Sequence, residues 1–136
     1  MSRVLVVMGS ESDKPVMQKG VEVLIEAGVD VDVVVSSAHR DPESTARLAR
    51  EAADRGFGVV ICGAGLSAAL PGVVASLTHL PVIGVPLSAG TLGGLDALLS
   101  IAQMPSGVPV ATVGIDNSRN AAKLALRILG RTAPAV

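Results

Sequence analysis

Five short apolar runs, each dense in Val and Ile, recur along this chain: Val4–Met8, Val31–Val35, Val59–Cys62, Val82–Val85 and Val110–Ile115. A strand with one wet face alternates apolar and polar residues. Runs that are apolar throughout read as parallel strands covered on both faces. Between them the apolar residues fall at helical spacing. Val16, Val23, Leu24 and Ala27 share one face, and Ala46, Leu48, Ala49, Ala52 and Ala53 share another. Leu95, Leu98, Leu99 and Ala102 form a third face, and Ala121, Ala122, Leu124, Ala125, Ile128 and Leu129 a fourth. Gly28, Gly56 and Gly130 follow three of these stretches as stop signals. Ser12 or Asp13 caps the first helix, with Pro15 in its opening turn. Asp41 with Pro42 opens the second, and Asp116 or Asn117 the last. The stretch Gly63–His79 reads as a Gly-rich turn followed by a short helix through Val73–Leu77. Strand alternating with helix predicts an α/β fold: a three-layer, doubly wound parallel sheet of about five strands. No linker, repeat or low-complexity stretch divides the 136 residues, so a single domain over 1–136 is expected.

In such sheets ligands bind outside the carboxyl ends of the strands. That rule selects four loops before any motif is considered: Gly9–Asp13, Ser36–Arg40, Gly63–Gly72 and Pro86–Gly94. In the first, Ser10, Ser12 and the free amides of a helix start suit a phosphate. Asp13 would repel phosphate and better suits ribose hydroxyls or a ring amine. From the pentapeptide alone an ordinary N-cap is the favoured reading. In the second loop, His39 is the only side chain of the four loops whose ordinary pKa, about 6.5, suits proton transfer near neutrality. Arg40 beside it suits a phosphate dianion. The bland alternative is a surface His–Arg pair ahead of a helix. His79 precedes the fourth strand, at the opposite edge, and reads as structural or interfacial. The third loop, Gly63–Gly72, is small enough for a planar ring to lie on its backbone, with amides free for phosphate. It fits neither the ATP P-loop, nor the dinucleotide fingerprint, nor the serine-hydrolase elbow. Ser88–Gly94 reads as a mobile lid or a subunit-contact loop.

Composition narrows the partners. Net charge is −1 with no Lys/Arg cluster, and Phe57 is the only aromatic residue, so neither duplex nor single-stranded nucleic acid is an expected partner. A bound nucleotide must be held by backbone, hydroxyls and charge. Cys62 is the only cysteine, which suits a reducing cytoplasm and reads as a core residue. With two histidines, one cysteine and no H-x-x-x-H or H-x-H pair, a metal site is possible only with carboxylate help. No apolar run is long enough for a membrane span, and Arg3–Met8 reads as a strand rather than a signal peptide. Yet 49% of residues are apolar and mean hydropathy is +0.57. Surplus apolar surface without a membrane segment points to burial between subunits.

Taken together the loops resemble the aminoimidazole ribonucleotide carboxylase family of purine biosynthesis, which includes N5-carboxyaminoimidazole ribonucleotide mutases. Met8-Gly9-Ser10-Glu11-Ser12-Asp13 looks like its phosphate-side loop and Ser37-Ala38-His39-Arg40 like its catalytic loop. Pro81–Pro86, Leu98–Val113 and Asn120-Ala121-Ala122 extend the match from about Val4 to Leu129. The resemblance implies a flavodoxin-like core, a cytoplasmic homo-octamer, and no metal, biotin or ATP cofactor. It implies a ribonucleotide and carbon dioxide as the molecules handled, with the carboxyl group moving between amine nitrogen and ring carbon. It assigns His39 to catalysis. It places Ser10, Ser12, Asp13, Ser37, Ala38 and Arg40 around the nucleotide, with Gly65 and Ser67 from the third loop. The bacterial mutases usually carry Gly-Ala-Gly-Gly-Ala-Ala-His-Leu-Pro-Gly there, whereas this chain has Leu66 for a Gly and Ala69 for the His. That loop looks partly like the branch that carboxylates aminoimidazole ribonucleotide directly with carbon dioxide. That branch usually has Lys where Arg40 stands. Direct carboxylation, and a non-catalytic nucleotide-binding or assembly subunit, are the competing expectations.

Overall fold

The computed structural model describes residues 3–132. Five strands, β1 (Arg3–Met8), β2 (Asp30–Val35), β3 (Phe57–Gly65), β4 (Val82–Leu87) and β5 (Ala111–Thr112), form one sheet in the order β2-β1-β3-β4-β5. All four pairings are parallel. Five helices connect and cover them: α1 (Lys14–Glu26), α2 (Pro42–Glu51), α3 (Leu70–Ser76), α4 (Leu95–Ala102) and α5 (Ser118–Ile128). This is the doubly wound, flavodoxin-like arrangement, with its switch in strand order between β1 and β3.

The two sheet faces have separate cores. Val4, Val6 and Met8 of β1 meet Met17, Val21 and Leu24 of α1 and Ala121, Ala125 and Leu126 of α5. Leu5, Val7, Val60 and Cys62 point the other way, toward Ala49 of α2, Val74 of α3 and Ile101 of α4. The runs Val4–Met8, Val59–Cys62 and Val82–Val85 are thus central strands covered on both faces. Val31–Val35, which contains Asp32, and Val110–Ile115 instead fall on the edge strands β2 and β5 and are not fully buried.

Several boundaries differ from the sequence reading, three of them with a clear physical cause. β3 does not stop at Cys62 but continues to Gly65, paired with β1 through Gly63 and with β4 through Gly65. Its glycines are packing residues: a Cβ at Gly63 would strike the Met17 thioether, and one at Gly65 would lie 2.9 Å from the Ala89 Cβ. The last strand shrinks from Val110–Ile115 to Ala111–Thr112. Val113 N–H donates to Gly84 O and Asp116 N–H to Pro86 O, so β4 presents its even-numbered residues to β5. Pro86 has no N–H to give in return, and the ladder ends there. The short third helix begins at Leu70, earlier than Val73, with Pro71 in its first turn. The capping expectations divide. Asp41 Oδ1 accepts from Ser44 N–H at 3.3 Å and Asn117 Oδ1 from Asn120 N–H at 3.0 Å, so both cap as expected. Asp13 stands at the N-cap of α1, as one of the two residues expected there, but its side chain makes no capping bond to that helix. Ser10 starts a 3-10 turn, Glu11–Asp13, that runs into the helix. α2 ends at Glu51, and a turn carries the chain on to Gly56.

No described helix is long and apolar enough to cross a membrane.

Candidate functional site

The carboxyl ends of β1, β2 and β3 open on a cleft of about 310 Å³. All nine residues singled out in the sequence line it: Ser10, Ser12 and Asp13 after β1, Ser37, Ala38, His39 and Arg40 after β2, and Gly65 and Ser67 after β3. Two hollows of about 600 Å³ lie elsewhere. One holds His79 with Ser76, Thr78 and the Gly107–Pro109 turn, at the amino side of β4. The other lies beside edge strand β2. Neither stands at the switch in strand order, and neither joins an imidazole, a guanidinium and a carboxyl group. Size therefore does not decide the site; the convergence of three loops does.

The first loop is locked by its own hydrogen bonds. Ser10 N–H donates to Asp13 Oδ2 at 3.1 Å and Ser12 N–H to Ser10 Oγ at 3.3 Å, a reciprocal capping arrangement. The Ser10 and Ser12 hydroxyls are hydrogen-bonded at 2.9 Å. Gly9 N–H donates to Gly63 O, which ties the loop to the end of β3. Two hydroxyls and a carboxyl group therefore face the cleft from one turn. Partial burial raises the Asp13 pKa above its ordinary 3.8, opposed by the bond from Ser10 N–H. Lys14 turns outward to Glu11, 2.6 Å away.

The His39 loop is held from below by a buried pair that sequence reading missed. The Ser36 and Thr45 hydroxyls are 2.7 Å apart, and Thr45 Oγ1 also donates to Asp41 O at 3.1 Å. Both side chains are buried. They fasten the end of β2 to the first turn of α2. Ser37 Oγ accepts from Arg40 N–H at 3.1 Å, and Ser37 O accepts from Asp41 N–H at 2.8 Å. His39 and Arg40 remain exposed on this tight turn, free to meet a ligand. The signal available in sequence was Ser/Thr spacing around the Asp41 cap, which by itself does not separate a buried pair from surface hydroxyls. Ala89 was also missed; it brings the Ser88–Gly94 loop to the cleft wall.

The cleft holds no aromatic ring. Phe57 is fully buried at the start of β3, beneath the Arg3 guanidinium. Cys62 is fully buried and does not line the cleft, and burial raises its thiol pKa, which disfavours the thiolate. Among the described residues no three His, Cys, Asp or Glu side chains gather as a metal site.

Residues 3–136 match the family described as AIR carboxylase. The chain belongs to the AIR carboxylase family. It is 56% identical to the N5-carboxyaminoimidazole ribonucleotide mutase of Pyrococcus horikoshii, over 96% of this chain and 74% of that protein. It is 54% identical to the mutase of Thermotoga maritima, over 100% of this chain and 80% of that protein. The crystal structure of Treponema denticola PurE superposes with a TM-score of 0.82 at 31% identity, covering 93% of this chain and 79% of that one. Within the AIR carboxylase frame, the two unusual residues of the third loop have structural consequences. Leu66 adopts φ 57°, a left-handed backbone that suits the glycine usual there. Ala69 lines the cleft but brings no imidazole, so His39 is the only histidine there.

Proposed function

We propose that the protein is an N5-carboxyaminoimidazole ribonucleotide mutase, converting the N-carboxy nucleotide to 4-carboxy-5-aminoimidazole ribonucleotide in purine biosynthesis. The observation that carries this reading is 54–56% identity to mutases over nearly the whole chain. The convergent cleft supports it. Ser10, Ser12, Ser37 and Arg40 supply hydroxyls and a cation for the ribose phosphate; Asp13 faces ribose hydroxyls or the ring amine. Ala38, Gly65 and Ser67 lie along the base.

The chemistry follows from the substrate. Cleavage of the carbamate C–N bond releases carbon dioxide and leaves the amine to take up a proton. The amine makes the ring carbon nucleophilic, as in an enamine. That carbon attacks the trapped carbon dioxide, forming the new C–C bond, and the sp³ carbon then loses its proton. The proton gained by nitrogen balances the one lost by carbon. One imidazole can serve both steps, as acid first and base afterwards. His39 is that group. Holding carbon dioxide beside the ring carbon supplies the proximity term. Because the substrate carries its own nucleophile and carboxyl donor, the reaction asks for no cofactor. The same reading makes the chain a cytoplasmic homo-octamer.

Direct carboxylation of aminoimidazole ribonucleotide is the second reading, motivated by Leu66 and Ala69 in the third loop. Purified protein assayed with each nucleotide, at varied bicarbonate, separates the two. The mutase reading expects turnover of the N-carboxy nucleotide that is insensitive to bicarbonate. Rapid turnover of aminoimidazole ribonucleotide plus bicarbonate, with none on the N-carboxy form, sinks it.

A further inference from the structure

Among the described residues only two non-glycines have left-handed backbone, Leu66 at φ 57° and Asp116 at φ 60°. They grip the same loop from opposite sides. Asp116 leaves the capping of α5 to Asn117 and turns its carboxylate to the exit of β4. There Ser88 N–H donates to Oδ1 at 2.9 Å and Ser88 Oγ to Oδ2 at 2.5 Å. Asp116 N–H is itself anchored on Pro86 O at 2.8 Å. The neighbouring Ile115 side chain packs on Gly94, where an added Cβ would lie 2.7 Å from it. Both ends of Ser88–Gly94 are thus held by Ile115-Asp116. On the other side, a Cβ at Gly90 would lie 2.9 Å from Leu66 Cδ2, and one at Gly65 2.9 Å from the Ala89 Cβ. Gly90, Gly93 and Gly94 all have positive φ, so the loop has large backbone freedom without an anchor.

We propose that Asp116 is a positioning residue of the cleft: its paired bonds to Ser88 hold the Ala89–Gly90 wall against Gly65 and Leu66 and set the space left for the nucleotide. The proposal rests on the reading of this cleft as the nucleotide site. Asp116 touches no substrate; it acts through Ser88.

Asp116→Gly keeps the left-handed backbone without strain and removes the whole side chain, carboxylate included. Asp116→Asn keeps an acceptor for Ser88 N–H. The readouts are steady-state mutase kinetics and amide hydrogen exchange of the ligand-free chain. In Asp116→Gly, KM for the N-carboxy nucleotide rises about tenfold, the worth of one hydrogen bond to a charged group. Over the same change kcat moves less than about threefold. Exchange quickens at Ala89–Gly93 while the central strands keep their protection, and Asp116→Asn restores most of the KM. Unchanged KM and exchange in Asp116→Gly overturn the proposal, as does faster exchange throughout the sheet with no recovery in Asp116→Asn. A wild-type chain inert toward both nucleotides overturns the functional reading instead, and local exchange at Ala89–Gly93 then decides the latch by itself.

Discussion

His39 stands on a turn whose backbone is fixed by Ser37 and by the buried Ser36–Thr45 pair, so its side chain can be changed without disturbing the loop. His39→Asn is expected to lower carboxyl transfer at least about 100-fold while nucleotide binding persists. Wild-type turnover in His39→Asn would defeat the role assigned to His39. Asp13 offers a test of a different kind. Its folded-state pKa is raised by burial, so its ionisation opposes folding. The stability it permits is full below the ordinary value of 3.8 and is lost as pH rises through the folded value. Asp13→Asn keeps an acceptor for Ser10 N–H and removes the charge. Its urea midpoint should exceed that of wild type by more at neutral pH than below 3.8, while affinity for the nucleotide falls. A midpoint difference independent of pH would contradict this. A carboxyl group held at a stability cost in a cleft fits a binding role. Leu66 tells a related story: half-exposed (55%) at φ 57°, it sets its backbone strain against contact with the Gly90 wall rather than against core packing. Leu66→Gly is expected to raise unfolding free energy by about 1 kcal/mol. At this scale sequence reading found the chemical groups of the cleft, because loop position and side-chain chemistry are both local facts. It missed Ser36, Thr45 and Ser88, whose importance depends on partners 9 to 28 residues away.

Element by element, the strands and helices were legible wherever burial on both faces or a helical stripe leaves a pattern. β5 was not, because its truncation is set by Pro86 on another strand. The end of β3 was not, because glycine reads as a turn until Met17 and Ala89 are seen pressing on it. The α1–α5 contact has the same character. Ser118, almost fully buried, accepts from Gly20 N–H at 3.1 Å and donates to Val16 O at 2.6 Å. A Cβ at Gly20 would stand 2.5 Å from Ser118 O. Backbone cannot yield as a flexible side-chain end does, so Gly20→Ala should separate the helices and destabilise the fold by about 1–3 kcal/mol. Chemical denaturation measures this directly; a midpoint equal to wild type would mean that the helices re-pack freely. The first loop follows β1 and leads straight into α1, so the same variant should weaken nucleotide binding as well.

The whole molecule accounts for its high hydropathy only in part. Two filled cores use the central strands and the inner helix faces, but α4 also carries apolar residues outward. Leu95 is 51% and Leu99 53% exposed, one turn apart on the same side of the helix, with Leu92 just ahead of them. Covering the exposed half of one such leucine is worth about 1 kcal/mol, so a stripe of this kind repeated at every contact between copies is a substantial association term. α4 follows the Ser88–Gly94 loop directly, which places this stripe beside the segment that walls the cleft. Assembly and the shape of the site are therefore expected to be linked. Sedimentation should find the wild type as a multiple of its 13.6 kDa chain, eightfold on the proposed reading. Leu95→Glu combined with Leu99→Glu should lower that mass, because two charges would have to be buried at each contact. The same variant should lose activity in proportion to its dissociation, even though no substituted residue lines the cleft. A wild type that sediments as a single chain, or a double variant that keeps its full mass, would show that the stripe on α4 is not what holds the copies together.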